Sequence, residues 1–359
     1  MAAFYVLLNH ARGFLWVGGE SLQAAGTLGA LNLFDQVWVA LNQLTRLGHE
    51  AVILFFVHSG FAIAYSLSRS RGVTGFYQRR FVRLYPTYVV GLLWAYLVLW
   101  IATMLVPEFF DGLYRFGAYG RFPDELREFT PAAVLKNLFY IPTVPFIPQF
   151  WSLPHEVIFY LAAPLYMRCP RAYVGVSLAL AVVGLTVGAH ANFVVQHVFV
   201  YNGFFAVGVL LFLNWERVSM AMRDIPRWAV LGAIGVGFVV SVVLSRHLGT
   251  PNRVTEWIAA VVSVVALAKF AQVEMKSRPL KLLGEASYSL YVTHVATVIL
   301  VLCLFHAITG FAPPIETPWF WPIAIPFALA VAYLAYWAVE APCRRYLQRL
   351  RDRAAVTAA

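Results

Sequence analysis

The sequence predicts an all-α, polytopic integral membrane protein of about ten transmembrane helices with both termini in the cytoplasm. Three observations carry that prediction. Hydrophobic residues make up 61% of the chain and charged residues only 12%, with a mean hydropathy of +0.70, whereas soluble domains are about a quarter charged. Apolar runs close to the length that crosses a bilayer core of about 30 Å recur along the whole chain. With loops assigned alternately to the two sides, 19 of the 27 Lys and Arg fall on one side and 8 on the other, and the basic side is the one retained in the cytoplasm.

The opening stretch, MAAFYVLLNHARGFLWV, lacks the positive n-region of a signal peptide, and His10 and Arg12 interrupt its apolar run, so it is predicted as the first span. It is barely long enough, and no arginine precedes it, a pattern that fits a start upstream of Met1. The linker 18–47, rich in Gly, Gln and Asn, is expected outside. Residues 48–67 form the second span. The loop expected after it holds Arg69, Arg71, Arg79, Arg80 and Arg83, a cluster that puts residue 48 outside and residue 70 inside and so orients every other helix.

Residues 84–105 return as the third span. The polar segment 106–150 mixes acidic and basic residues and suits the outer face. Its proline-rich end, IPTVPFIPQF, is expected to be extended or re-entrant, with a re-entrant piece near 132–147. Further spans are predicted at 152–167, 172–189, 193–213, 227–246, 254–272, 286–309 and 319–340. One membrane domain then covers 1–347, and 348–359 is a short basic cytoplasmic tail. The net charge of +10 sits in short loops beside spans, where membrane insertion places it, so it does not indicate nucleic acid. Cys169, Cys303 and Cys343 are odd in number and far apart, which implies no disulfide framework. No internal repeat of the inverted-transporter kind is visible.

The residues with chemical content are the ionisable groups carried inside spans at a cost of a few kcal/mol each. They are His10, His58, Glu156, His294 and Glu340, with His155 and His306 nearer helix ends. For His10 two readings stand: a general base or proton relay, or an imidazole satisfied by a neighbouring carbonyl or serine. In FWSLPHEVIFY, Ser152 is expected to cap a helix that starts at the outer face with Pro154 in its first turn. Ser152 and Glu156, four apart, share one face, and the carboxylate either serves the chemistry or ties helix ends together. Trp151 and Tyr160 read as aromatic-belt anchors or substrate platforms.

Arg79, Arg80 and Arg83 suit the phosphates of a nucleotide-containing cofactor, or they only hold topology and touch anionic lipid. Ser287, Tyr288 and Ser289 enter the ninth span from the same side, with His294 deeper. No P-loop, GxSxG, HExxH or CxxC occurs, so nothing supports soluble-type hydrolase, NTPase or metal chemistry.

Together these pieces resemble the membrane acyltransferase 3 family, ten-helix proteins that O-acylate bacterial polysaccharides, lipopolysaccharide O-antigens and Nod factors. AAFYVLLNHAR looks like the family's first helix with its histidine, and LFFVHSGFAIAYSL like its FFxxSGF helix. RRFVRLYP is similar to its arginine-rich stretch, and FWSLPHEVIFYLAAPL to its WSLxxE motif. LLGEASYSLYVTH and AVEAPCRR are similar to its last two elements. The match runs from residue 1 to about 347 in the family's order.

The resemblance implies an O-acyltransferase of the bacterial inner membrane. Its donor would be acyl-CoA, acetyl-CoA first of all, met from the cytoplasm near Arg80, Arg83, Ser287 and Tyr288, with no metal. A glycan or glycolipid hydroxyl would be met from outside near Trp151, Ser152 and Glu156, with His58 and His294 assigned to the substrate path. His10 and Glu156 are the catalytic candidates, and a separate periplasmic partner protein is implied where no soluble domain follows. The family's arginine eleven residues before the first-helix histidine would fall before Met1, and the pair His49–Glu50 stands at the outer end of the FFxxSGF-like helix, where less charge is expected, with contact to the acceptor as its one reading. The competing reading is a proton-coupled transporter or flippase for a glycan or lipid intermediate, using the same intramembrane His and Glu.

Overall fold

The computed structural model describes the whole chain except residues 1, 17, 71, 113–118, 142–146, 187–198, 250–251, 274–275, 311–316 and 357–359. The described residues are helical, with no strand among them. The chain opens with α1 (Ala2–Leu15), a short α2 (Gly19–Ala24), α3 (Leu33–Asn42), α4 (Gly48–Ser68) and α5 (Val73–Leu105). The polar segment holds α6 (Phe122–Glu128) and α7 (Pro131–Leu138), followed by α8 (Leu153–Tyr166), α9 (Pro170–Thr186) and α10 (Tyr201–Leu213). The last part comprises α11 (Trp215–Arg223), α12 (Arg227–Leu248), α13 (Arg253–Phe270), α14 (Arg278–Glu285), α15 (Ser287–Thr309), α16 (Ala324–Ala335) and α17 (Ala341–Val356). A π-turn over Tyr336–Glu340 joins α16 to α17.

Every predicted span contains a helix, but length and apolarity qualify fewer for crossing a bilayer. Five helical runs are long and apolar enough: Leu33–Ser68, Val73–Leu105, Arg227–Leu248, Ser287–Thr309 and Trp321–Leu350. Tyr201–Leu213 and Trp215–Arg223, bent by 75° at their junction, make a sixth if counted as one span. The protein is therefore a multi-pass, all-helical membrane protein. Parts of the predicted spans 172–189 and 193–213, and residues 142–146 of the predicted re-entrant piece, lie outside the described residues.

Two expectations are corrected. The basic loop predicted up to residue 83 ends before Val73, where α5 already begins. No helix breaker but Gly75 stands before Pro86, so Arg79, Arg80 and Arg83 project from helical turns, and Arg79 ties back to the turn through Ser70 Oγ at 2.7 Å. Ser152 is not a side-chain cap. It ends a 3₁₀ turn, Pro148–Ser152, with helical φ and ψ of −80° and −25°, so its hydroxyl is not placed to meet the first N–H groups of α8 as an extended N-cap residue would be.

Two apolar clusters form the interior. One is built mainly from α1, α5, α15 and α16, with Leu7, Leu92, Val295 and Ala328 at its centre. The other is built mainly from α4, α8, α10 and α13, with Phe56, Phe159, Phe205 and Ala260. Consecutive residues of α1 serve both, Leu7 the first and Val6 the second, so α1 is the seam between them. Helix α4 meets α10 with almost no side chain between. A Cβ on Gly60 would lie 2.1 Å from the Phe205 carbonyl oxygen, and one on Gly208 would lie 2.1 Å from that of Val57. Such close contact of backbones is how membrane helices associate where apolar burial supplies no driving force.

Candidate active site

His10, half-buried, projects from the seam helix α1 toward His294, which is fully buried on α15. The rings stack with centroids 5.1 Å apart and planes 16° apart, and Nδ1 of His10 lies 2.8 Å from Nε2 of His294. The other nitrogen of His294, Nδ1, lies 3.0 Å and 2.9 Å from the carbonyl oxygens of Leu290 and Tyr291 in its own helix. Carbonyl oxygens only accept, so this Nδ1 carries the hydrogen. In the neutral ring Nε2 is then an acceptor, and the 2.8 Å contact requires His10 Nδ1 to donate. The lone pair of neutral His10 therefore sits on Nε2, for which no partner occurs among the described residues.

One helical turn before His294, Tyr291 continues the polar line. Its hydroxyl lies 2.6 Å from Ser152 Oγ and donates to the Gln149 carbonyl oxygen at 2.6 Å. Ser152 precedes Glu156 by one turn, and Glu156 Oε1 accepts from Ser59 Oγ at 2.8 Å and from the Tyr160 hydroxyl. Arg80 lies over the Tyr160 ring at 5.2 Å and the Phe76 ring at 5.6 Å. Glu156, Ser59, Ser152 and Tyr160 are all buried, so their hydrogen bonds and the nearby Arg80 and Arg83 charges replace the water they have lost. The result is a polar chain from α1 to α5: His10, His294, Tyr291, Ser152, Glu156, Tyr160, Arg80.

Predicted site residues divide accordingly. His10, His294, Ser152, Glu156 and Arg80 belong to the chain, and Arg83 sits one turn beyond Arg80, exposed. Ser287 and Tyr288 open α15, with Tyr288 among Tyr140, Tyr88 and Glu340. Their neighbour Ser289 donates through N–H and Oγ–H to Glu340 Oε2 at 3.2 Å and 2.7 Å, and Arg344 Nε stands 3.7 Å from Oε1. Glu340 thereby ties the start of α15 to the π-turn.

His58 is exposed and outside the chain, on the α4 face of Phe55, whose ring stacks on Tyr291 with centroids 6.4 Å apart. Trp151 turns away toward His49, stacked at 4.9 Å and 7°. Tyr160 is no belt anchor, because its hydroxyl is committed to Glu156.

The pair that sequence reasoning left unexplained has a structural use. His49 Nε2 lies 2.8 Å from Glu256 Oε1, Arg253 Nη1 reaches both oxygens of Glu256 at 2.9 Å and 2.7 Å, and Thr255 Oγ1 donates to Glu50 Oε1 at 2.5 Å. These contacts join α4 to α13. Tyr291, Ser59 and Gln149 join the site without being among the residues that the sequence singles out. For Tyr291 a signal existed, since it stands three residues before His294 and shares its helix face. Among the described residues no three His, Cys, Asp or Glu side chains cluster as metal ligands.

Against α1 a cavity of about 990 Å³ opens between the 18–47 segment and the ends of α4 and α12. Asn9 and Arg12, three apart, give it one face of α1, and Trp16 lines it just past the helix end.

A family model described as an acyltransferase domain matches residues 2–337. The acyltransferase MdmB of Streptomyces mycarofaciens is 28% identical over 355 residues, covering 88% of this chain and 86% of that protein. Nodulation protein 10 of Rhizobium leguminosarum bv. viciae is 23% identical over 362 residues, covering 96% and 91%. The exopolysaccharide production protein ExoZ of Rhizobium meliloti (strain 1021) is 28% identical over 320 residues, covering 83% and 90%. No solved structure matches the chain.

Proposed function

The chain belongs to the acyltransferase 3 family, and from that premise we propose that it moves an acyl group, acetyl first of all, from acyl-CoA to a hydroxyl of an envelope or exported glycan. The observation that carries this reading is the ordered tautomer of the His10–His294 pair. It leaves the Nε2 lone pair of His10 as a base on the seam between the two halves of the protein.

In the direct mechanism the acceptor hydroxyl gives its proton to His10 Nε2 as its oxygen attacks the acyl carbonyl carbon. The carbon–sulfur bond breaks, and the imidazolium returns that proton to the departing thiolate, so no proton is gained or lost. His294 accepts the His10 Nδ1–H throughout. It holds the ring in one tautomer and stabilises the cation that forms, the part an orienting group plays in a catalytic triad.

The donor enters from the cytoplasmic end, with its phosphates against Arg80 and Arg83 and past Ser287 and Tyr288 at the start of α15. The acceptor enters from the opposite end, where Trp151 and Ser152 flank the approach. Glu156 holds Ser59 and Tyr160 between the two routes. A glycan acceptor is supported by the similarity to ExoZ, a protein of exopolysaccharide production. The bacterial inner membrane, with both termini cytoplasmic, is the location this division of routes requires.

Purified protein given labelled acetyl-CoA and an acceptor glycan tests the reading. Label should reach glycan with the wild type and not with His10→Ala. Full transfer by His10→Ala would overturn the assignment of the base. Vectorial movement of unlabelled glycan without any transfer would favour the transporter reading instead.

A further inference from the structure

Another cavity, of about 370 Å³, lies between α1, α4, α12 and α13, and none of its lining residues belongs to the polar chain. Its walls are apolar side chains such as Leu54, Phe238, Ile258 and Val262, with Tyr5, Glu50 and Ser241 as the polar groups. Glu50, 3% exposed, is only half satisfied there. Its Oε1 accepts from Thr255 Oγ1 at 2.5 Å, whereas Oε2 has no hydrogen-bond partner among the described residues. A carboxyl oxygen held away from water without a donor is costly, and native proteins leave few such atoms unpaired. A single water is a poor partner for it, because a buried water needs two to four polar groups around it. Tyr5 commits its hydroxyl to the Leu44 carbonyl oxygen and the Leu47 N–H, so Oε2 and Ser241 face an otherwise apolar space.

The surrounding helices decide what reaches this oxygen. Helix α12 is long and apolar enough to span the bilayer, and Val236, Val239 and Val243 are exposed on its outer side, where lipid lies. Its inner side brings Gly237 and Ser241, one turn apart, to the cavity. There α12 packs closely on α13, since a Cβ on Gly237 would lie 3.0 Å from Val262 Cγ2, and it meets α1 where the Phe238 ring stands edge-on to Tyr5 at 6.2 Å. On α4, Glu50 precedes Leu54 by one turn, so the acceptor oxygen and the apolar wall follow one another along a single helix face. A cavity walled by spanning helices is supplied from the bilayer, whose molecules carry apolar chains behind polar heads. We infer that it is a lipid site: it takes one apolar chain of a membrane lipid whose head, a hydroxyl or a primary ammonium, donates a hydrogen bond to Glu50 Oε2. Its volume lies within the range of ordinary ligand pockets and suits one chain rather than two.

Photolabelling of the purified full chain in nanodiscs tests this without any transfer step. The probes are dodecyl chains with a diazirine at the tail, ending in a hydroxyl, a primary amine or a methyl ether. At equal content in the bilayer, at least one of the two donors should label the peptides of residues 47–54 and 234–241 about fivefold or more above the ether. That is the gain of one hydrogen bond to a buried acceptor. Which donor labels more identifies the head. Glu50→Gln keeps an oxygen for Thr255 and turns an NH₂ group to the cavity, so it should bring that donor down to the wild-type level of the ether and raise the ether, which can only accept. Ser241→Leu, which places an apolar side chain in the space, should suppress labelling by all three.

Equal labelling by donors and ether, or no labelling of these peptides by any probe, overturns the proposal. So does donor labelling at the wild-type level in a Glu50→Gln protein that elutes and melts as the wild type does. None of these outcomes depends on acyl transfer, so the lipid site stands or falls apart from the function proposed above.

Discussion

His10 donates its Nδ1–H to Nε2 of His294, 2.8 Å away, and the direction of that bond is set by neither residue alone. The carbonyls of Leu290 and Tyr291 claim the Nδ1–H of His294 and so leave it only an acceptor for its partner. A helix backbone on one side of the seam thus decides which nitrogen of a ring on the other side is basic.

Removing either ring should cost turnover more than binding. His10→Ala should lower kcat by about a hundredfold to ten-thousandfold, the range of a general base. His294→Ala should lower kcat less, with the KM for acyl-CoA near the wild-type value, the outcome expected if it acts by orienting His10 as the proposed mechanism has it. His294→Gln, whose amide oxygen can accept from His10, should recover part of the loss. A steady-state comparison at several pH values checks all three.

Arg83→Ala should raise the KM for acyl-CoA about tenfold or more, the loss of one charge-assisted hydrogen bond to phosphate. Arg80→Ala should do the same, but it also removes the cation from above Tyr160 and from the field of Glu156, so kcat should fall as well. Unchanged KM with lost expression in both would leave these residues a role in topology alone.

Gly60→Ala should destabilise the protein by about 1–3 kcal/mol or more, since the added methyl meets the backbone of Phe205 and only a shift of α4 against α10 can relieve it. Gly208→Ala should behave alike from the other helix. Gly232→Ala, with nothing within 4 Å of its added Cβ, is the control and should melt as the wild type does. Thermal unfolding in detergent reads the three.

Stability should fall as pH rises through the weakly acidic range because of Glu125 in the polar segment. Burial pushes its carboxyl from an ordinary 4.5 up to about 8, with Arg121 opposing and Glu128 adding to the rise. The folded protein therefore keeps a proton there that the unfolded chain releases. That contribution is full below about 4.5 and is lost as pH climbs through about 8. Glu125→Gln should flatten the decline in melting temperature across this window and match or exceed the wild type at its alkaline end.

Part of the site was legible in the sequence. The cost of an ionisable group in a span singles out His10, Glu156 and His294 whatever surrounds them, and their presence in one polar chain agrees with that logic. The same logic raised His58, which the fold leaves exposed on α4, because the cost of a histidine does not say which way its helix is turned. Ser59 and Tyr160, by contrast, carry no charge and no motif role that marks them, yet they hold Glu156. Along the sequence Arg79, Arg80 and Arg83 look like loop residues, because a basic cluster beside a span resembles a loop. The helix α5 runs through them because nothing in that stretch breaks it.

What the sequence determines by itself is whatever depends on composition and on neighbours along the chain: a membrane protein, helical, with basic residues beside its spans and the motifs of its family in order. Hydrophobicity and helix periodicity are local, so one dimension is enough to read them. Only the tertiary structure decides that residues 10 and 294 meet, that Glu156 is shared by Ser59 and Tyr160, and that Asn9, Gln43 and Arg246 line one cavity. Those outcomes depend on the rotation and depth of each helix against its neighbours, set by close backbone contacts such as Gly60 with Phe205, and no pattern along a single helix encodes them.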